Sequence, residues 1–319
     1  MSKKLKISLL FACALVLFSS VVFVAVMSVC GWDFARIADN EAQIVDVEIN
    51  EDFSNIKFDT LTADIVIRPA ADEKCKVTFT VPQKMKHSAN VVGETLDISV
   101  SDERVWYERA ISFYSTKVIL YLPKSDYGML SVSGSTGDIE IFDSFSFSNL
   151  DISLSTGDIE CYASVLESVK LIASTADIKI GSLSCGSLEI EVSTGDIEVC
   201  DLICSGDATI TVSTGKINLK NVSMNNLTSI GDTGDISLES VVAFDKFYIK
   251  RTTGDVSFDK CDAAEIYVKT STGDVEGSFM SSKLFFAESR SGKNDVPKGT
   301  SGGICEITTT TGDIKITVE

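Results

Sequence analysis

The chain has 319 residues and is acidic, with 46 Asp and Glu residues against 28 Lys and Arg residues and a net charge of -18. The length allows one large domain or two ordinary ones. The charge argues against nucleic acid as a partner and against electrostatic attachment to anionic lipid headgroups, because both need a basic surface. It favours cations, cationic peptides or basic protein surfaces, and its simplest role is to keep a long surface soluble.

The first predicted element is an apolar segment at residues 7–29. At about 1.5 Å per residue, a helix of this length spans roughly 34 Å, which is enough to cross the core of a bilayer. Lys3, Lys4 and Lys6 precede the segment. The positive-inside rule therefore places residues 1–6 in the cytoplasm and the rest of the chain outside the cell membrane, in a single-pass topology.

A cleaved signal peptide is the alternative for this segment. Its apolar region would have about 7–15 residues and would end in small residues. The apolar run here is longer, and the stretch from Val26 to Cys30 contains no such cleavage pattern. We therefore expect residues 7–29 to be retained as a transmembrane anchor, followed by a juxtamembrane linker at residues 30–42.

Residues 43–129 show strand patterning without a regular period. Strands are predicted at residues 76–81, 95–100 and 116–122, where β-branched and aromatic residues alternate with polar ones. An isolated Thr-Ala-Asp-Ile sequence begins at Thr62. We interpret this region as an N-terminal β cap, which a stacked repeat protein needs to cover its first repeat.

Residues 130–319 repeat a Thr-Gly-Asp-Ile motif. Its glycine, once replaced by alanine, recurs in steps of 19 or 20 residues, at positions 137, 157, 176, 195, 215, 234, 254, 273, 292 and 312. Apolar residues hold fixed places seven and five residues before the glycine, and two and four residues after it. So constant a period indicates stacked repeats rather than one globular core.

Alternation of apolar and polar residues predicts that each repeat is a strand, a tight turn and a second strand. Successive coils then stack about 4.8 Å apart in parallel pairing. The sequence thus predicts an all-β protein, a single-stranded parallel β-solenoid of 19–20-residue coils with an N-terminal β cap, preceded by one transmembrane helix. A stack of antiparallel hairpins would share the alternation, but the period hardly slips. Because no further segment follows the last repeat, we expect that repeat to form the far edge of the rod.

The motif, together with the stretch from Thr62 to Pro69 and the entry at Leu122 and Pro123, resembles the DUF4097 family. These are bacterial β-strand repeat proteins, also described as "toastrack" domains or "putative adhesins". The likeness covers residues 44–319. It implies a β-solenoid outside the membrane, in some cases linked to envelope-stress systems, and it carries no catalytic residue over to this chain.

The chain departs from the repeat pattern in two places. Lys216 replaces the aspartate of the motif, and the coil at residues 289–303 has only a degenerate copy with Pro297 and two consecutive glycines. These residues predict a loop that bulges from the rod.

The aspartates of the motif form a column that neighbouring coils would bring close together. Carboxylates about 5 Å apart could bind Ca²⁺, which prefers oxygen ligands. The simpler interpretation, which we favour, is that each aspartate caps its own turn through backbone N–H groups. The calcium candidates are Asp138, Asp158, Asp177, Asp196, Asp235, Asp255, Asp274 and Asp313.

The chain contains nine cysteines and one histidine, His87. Cys13 and Cys30 lie in or beside the membrane segment, and the other seven cysteines are an odd number that does not complete a disulfide framework. None has zinc-ligand spacing with a second pair. Cys161, Cys261 and Cys305 occupy apolar columns and are expected to be buried. We therefore expect free thiols and no cofactor.

Equivalent aspartates at repeated turns do not form the distinct acid and base that catalysis needs, so we predict a protein that is not an enzyme. Two functions remain: an extracytoplasmic cell-envelope adhesin or surface scaffold, or a ligand-sensing module that acts through a membrane partner. The partner would be an unknown envelope ligand or membrane protein. Docking is expected at the two irregular ends, although the same residues could pack in the cap or lie in a solvated loop. The docking candidates are Trp106, Tyr107, Arg109, Arg290, Lys293 and Lys298.

Overall fold

The computed structural model describes residues 3–29, 31–32, 42–82, 85–102 and 116–319. Helix α1 (Lys3–Val29) opens the chain. Its segment Leu10–Val29 has a mean hydropathy of 2.7 and is almost entirely exposed, so by length and composition it could cross a membrane. A signal sequence at the N-terminus would have the same properties.

The rest of the described chain is built from strands. They are β1 (Ala42–Ile49), β2 (Asn55–Thr62), β3 (Asp64–Pro69), β4 (Cys75–Pro82), β5 (Lys86–Val92), β6 (Thr95–Ser101), β7 (Lys117–Leu122), β8 (Asp126–Thr136), β9 (Ile139–Ile141), β10 (Ser146–Thr156), β11 (Ile159–Cys161), β12 (Ser164–Thr175), β13 (Ile178–Gly181), β14 (Ser184–Cys185), β15 (Ser187–Thr194), β16 (Ile197–Cys204), β17 (Ala208–Thr214), β18 (Ile217–Thr233), β19 (Ile236–Thr253), β20 (Val256–Lys269), β21 (Val275–Phe279), β22 (Lys283–Ser291), β23 (Asn294–Asp295), β24 (Gly303–Thr311) and β25 (Ile314–Val318).

These strands form the predicted parallel β-solenoid. Ile178 pairs in parallel register with Ile159 of the preceding coil and with Ile197 of the following one. All three side chains are buried, as are nearly all members of the four apolar columns. The fold class is therefore confirmed, because period-two alternation places the same side chains inward in every coil.

The N-terminal end does not follow chain order. Strands β2 and β3 lie between the coil made by β6 and β7 and the coil made by β8 and β9. Antiparallel strands then cover this end: β5 pairs with β6, β4 with β7, and β1 with β4. The region at residues 43–129 thus supplies two coils as well as the antiparallel strands of a cap.

The C-terminal end shows the same exchange. Strands β24 and β25 pair with β20 and β21 on one side and with β22 and β23 on the other. The coil at residues 283–295 is therefore outermost, and the expectation that the last repeat forms the edge of the rod is wrong. We call the outermost coil, made by β22 and β23, the distal coil.

The turn glycines are required by close packing between coils. Gly195 has a φ of +143°, and a Cβ atom there would collide with the carbonyl group of Ala176 in the neighbouring coil. Ala63 and Ala176 do not have positive φ angles, so those two turns use ordinary dihedrals. A second left-handed corner, which the sequence did not predict, follows six residues after the turn position in five successive coils. Its residues are Ser182, Asp201, Asn221, Ser240 and Lys260.

The charged side chain of Arg251 lies inside the apolar core. Arg251 is 2% exposed, and its Nη1 atom donates a hydrogen bond of 2.9 Å to the carbonyl oxygen of Val212, two coils away. The guanidinium group crosses the intervening coil at Gly231, where any side chain would collide with it. Burial lowers the pKa of Arg251. Arg251 therefore connects its own coil to the coil of Val212 across the coil that lies between them.

Candidate functional site

The aspartate column forms a ladder of hydrogen bonds between coils. The backbone N–H group of Asp158 donates to Oδ1 of Asp138 at 2.9 Å, and that of Asp196 donates to Oδ1 of Asp177 at 2.7 Å. At the far end, the N–H group of Asp313 donates to Asp274 at 2.7 Å. Each carboxylate thus caps the turn of the next coil instead of its own, which stabilises the stack.

The ladder explains the column without a metal ion. In the described part of the chain, no three His, Cys, Asp or Glu side chains lie where they could hold a metal ion together. The calcium interpretation therefore gains no support from the geometry.

The two lysines in this column occupy different positions in the ladder. Lys293 belongs to the distal coil, and no coil in the described part of the chain follows that would need its side chain as an acceptor. Lys216 lies mid-rod: its N–H group donates to Asp196, but its ammonium group cannot accept the N–H group of Asp235 in the next coil. The ladder is therefore interrupted after Lys216.

We expect Lys216→Asn to stabilise the rod by about 1 kcal/mol, because the amide oxygen would supply the missing acceptor. Lys293→Asn is the matched control, since it removes the same charge where no coil follows. The free energy of unfolding of both variants is measured by urea denaturation. Equal changes in the two variants would contradict this role of the column.

The distal coil has a free strand edge, and a polar residue occupies one of its otherwise apolar positions. Within the described residues, β22 pairs with β24 on one side only. The inward position held by Ile or Val in the other coils is occupied here by Asn294, whose Nδ2 atom donates to the carbonyl oxygen of Ala287 at 3.3 Å. An apolar side chain at this position would be exposed to water, so asparagine is suited to the end of the stack.

A buried ion pair holds the distal coil in place. Lys283 is 3% exposed, and its Nζ atom lies 2.7 Å from Oδ1 of Asp262 and 2.7 Å from Oγ of Ser281. Its strand partner in β24 is Gly303, so the lysine extends past a residue without a side chain to reach β20. Removal of one member of such a pair leaves a buried charge and is strongly destabilising.

The outer face of the rod changes character near the distal coil. The residue six positions before the turn glycine is polar in the earlier coils, but it is Tyr248, Tyr267 and Phe286 in three of the last four. Tyr248 and Tyr267 are strand partners, and Glu306 lies between Tyr267 and Phe286. Phe286 is 60% exposed. Sequence reasoning missed this aromatic row, although the constant offset from the glycine was visible.

The middle of this row already holds an ammonium group. Nζ of Lys246 lies 5.1 Å from the ring centroid of Tyr267 and 3.5 Å from Oε2 of Glu265. The hydroxyl group of Tyr267 donates to the same carboxylate oxygen at 3.2 Å. Reduced contact with water and the Glu265 carboxylate raise the pKa of Tyr267.

Comparison with known families identifies the fold. A family model described as Toastrack DUF4097 matches residues 53–228 and 205–319. The chain belongs to the Toastrack family. The resemblance noted from the repeated motif is therefore confirmed. No curated protein matches the chain.

Several solved structures resemble this Toastrack protein at low identity. A "putative adhesin" from Parabacteroides distasonis ATCC 8503 is 13% identical, with a TM-score of 0.49 and coverage of 87% of this chain and 98% of that one. A "putative adhesin" from Bacteroides fragilis NCTC 9343 is 15% identical, with a TM-score of 0.39 and coverages of 86% and 97%. A "putative lipid binding protein" from Parabacteroides distasonis ATCC 8503 is 14% identical, with a TM-score of 0.37 and coverages of 87% and 97%.

The predicted docking residues fall into two groups. Trp106, Tyr107 and Arg109 lie outside the described residues. The basic residues of the other group, Arg290, Lys293 and Lys298, are all exposed, with Arg290 and Lys293 in the distal coil and Lys298 just after it. Their role in docking stays a prediction.

The thiols of this Toastrack protein are mostly buried. Cys161, Cys261 and Cys305 are fully buried, as predicted, and burial raises the pKa of Cys161 to about 11. Cys185 and Cys204 are direct partners on neighbouring strands. A hydrogen bond from the Cys185 thiol lowers the pKa of Cys204.

We expect Cys185 and Cys204 to remain reduced in the native protein, because side chains stacked in parallel point the same way and are poorly placed for a disulfide dihedral. Mass spectrometry after alkylation under denaturing conditions should show both cysteines modified. A loss of two hydrogens, with a peptide joining Cys185 to Cys204, would contradict this expectation.

Proposed function

We propose that this Toastrack protein is a non-enzymatic, extracytoplasmic cell-envelope protein, an adhesin or surface scaffold that binds its ligand with the distal end of its rod. The observation that carries the proposal is the change in composition at that end. The outward position six residues before the turn glycine is polar over the earlier coils and becomes aromatic only near the distal coil, where a strand edge is also free among the described residues. Binding requires such a local difference, which identical coils do not offer.

The position of the apolar helix supports this orientation. Helix α1 precedes the antiparallel strands of the cap, so the linker joins the membrane segment to the opposite end of the rod from the distal coil. With coils about 4.8 Å apart, the rod places the distal coil on the order of 50 Å from the cap. An anchored chain would thereby present the distal coil away from its point of attachment.

The repeated chemistry supports a role without catalysis. The carboxylates of the ladder all make the same contact, an acceptor for the next coil's backbone, as Asp138 and Asp177 show. Catalysis needs a few residues whose environments differ from one another.

Topology is tested with protoplasts that make the full chain. Added protease should digest the β-solenoid and leave a small membrane-bound stub. Complete protection of the solenoid would overturn the extracytoplasmic assignment. Release of a soluble mature chain would show that residues 7–29 are a signal peptide.

Binding is tested by blocking the distal end with a bulky group. In a Cys200→Ser background, Thr300→Cys is coupled to a polyethylene glycol maleimide, and Ser213→Cys on the flank, coupled in the same way, is the control. Cells carrying the Thr300 conjugate should lose attachment to immobilised cell-wall fragments, whereas the flank conjugate should retain it. Equal attachment by both would move the binding surface to the flank.

A further inference from the structure

A shallow groove lies beside the distal coil on the aromatic outer face. It has a volume of about 430 Å³ and is lined by Phe286, Ala287, Glu288, Glu306 and Thr308. Glu288 and Glu306 are both exposed, and neither has an ion-pair partner among the residues that the structure describes. The groove therefore offers one exposed ring and two carboxylates that no basic side chain neutralises.

The neighbouring coils show which group a ring and a carboxylate bind when they lie side by side on this face. Around Tyr267, the ring and the carboxylate of Glu265, two residues earlier on the same strand, together hold the ammonium group of Lys246. In the groove, Phe286 has Glu288 two residues later on its own strand and Glu306 as its partner on β24. The same elements recur with one more carboxylate. A ring face and a carboxylate both attract a cation, so the groove matches an ammonium group.

The surroundings restrict how such a cation arrives. Arg290 and Lys293 lie toward the turn of the distal coil, and their charges repel a cation from that side. The net charge of -18 attracts cations to the molecule as a whole.

The free edge of β22, a strand of nine residues, can pair with an extended peptide backbone. The edge, the ring and the carboxylates together favour a peptide that carries lysine.

We propose that the groove beside Phe286 binds the ammonium group of a lysine-bearing peptide, which adds as a strand to the free edge of β22. The proposal rests on the proposed function, since it names the class of ligand for the same end of the rod. The side chain lies against the Phe286 ring between Glu288 and Glu306, and the peptide backbone pairs with the distal coil.

The test measures binding of labelled pentalysine to the full chain in detergent micelles by thermophoresis. Phe286→Ala and Glu306→Gln should each weaken binding about two- to fivefold, the size of effect that one ring or charge contact has at an exposed site. Glu191→Gln is the matched control, because it removes an exposed carboxylate from the same outer face in a coil far from the groove. This variant should bind as the parent does.

Two further probes separate the ligand classes. Pentalysine acetylated on its side chains should not bind, and lysine amide, which has no strand to add, should bind much more weakly than the pentapeptide. Equal losses in Glu191→Gln and Glu306→Gln, or unchanged binding by Phe286→Ala, would overturn the groove. Equal binding of lysine amide and pentalysine would overturn strand addition.

The proposal and the proposed function fail separately. If the Thr300 conjugate abolishes cell attachment but the groove variants bind pentalysine normally, the distal end remains the binding surface and the groove is wrong. If the conjugate leaves attachment intact, the proposed function fails whatever pentalysine does.

Discussion

Deleting residues 303–319 should disrupt the distal part of the rod instead of shortening it by one coil. The deleted segment forms an interior coil, with β20 and β21 on one side and the distal coil on the other. It contributes four buried apolar side chains, Cys305, Ile307, Ile314 and Ile316. At about 1.5–3 kcal/mol for each large one, their loss is comparable to the whole stability of a typical domain.

The distal coil cannot readily take the vacated place. In the intact protein Asn294 lies beside Ile314, which in turn lies beside Val275. Sliding the distal coil onto β21 would bury the asparagine amide against Val275, and an amide buried without a partner is costly. Rearrangement would therefore recover only part of the lost stability.

The deletion is measured by thermal unfolding and by hydrogen exchange of residues 256–295. We expect a lower melting temperature and fast exchange over that range. Removing only Val318 and Glu319, which are exposed, is the control and should change little. A melting temperature close to the parent's after the full deletion would show that the distal coil does close the gap.

Replacing Ile197 with aspartate should unfold the rod or cost several kcal/mol of stability. Ile197 is fully buried and stacks between Ile178 and Ile217. A carboxylate there would have neither water nor a counter-charge, because the column around it is apolar. Since each coil relies on its neighbours for its core, the damage should spread along the stack.

The measurement for Ile197→Asp is the yield of soluble protein together with its urea midpoint. Glu198→Asp is the matched control: it places an aspartate one residue further on, where the side chain is exposed, and should change stability by less than about 0.5 kcal/mol. Soluble Ile197→Asp protein with the parent's urea midpoint would be incompatible with the observed register.

The coil fold could be predicted from the sequence because two regular spacings of residues each determine one property of the coil. A period of 19 or 20 residues gives the length of a coil, and alternation within it gives the side chains that face inward. Burial of Ile178 and Ile197 follows directly. The order of coils does not follow, since every turn presents the same carbonyl and carboxylate to whichever coil lies next to it.

The exchange of coils did leave traces in the sequence. Lys293 and Asn294 depart from the motif in the distal coil, which has a neighbouring coil on one side only among the described residues. These departures from the motif predicted an irregular coil. A bulging loop and an outermost coil depart from the motif in the same way, so the sequence could not distinguish them. Similarly, Arg251 would be read as a surface residue, because only the structure shows Gly231 opening a path for its side chain.

For the candidate site, the sequence predicted docking at the same end of the rod that the proposal uses, but through other residues. Arg290 and Lys293 were placed at an irregular end and do lie in the distal coil. The groove beside Phe286 was missed because outward positions are judged one coil at a time, and one exposed aromatic is ordinary. Only stacking brings Phe286 next to Glu306.

The exchanged order of the last two coils affects how the rod would bear force. The distal coil is joined covalently to the rod at both of its ends, after Phe279 on one side and before Gly303 on the other. A partner that pulled on this coil would pull on a segment held by the chain at both of its ends. The buried ion pair between Lys283 and Asp262 would hold it at a third point. Detachment could not begin at a loose tail and travel coil by coil. The outermost coil would instead have to give way as a unit.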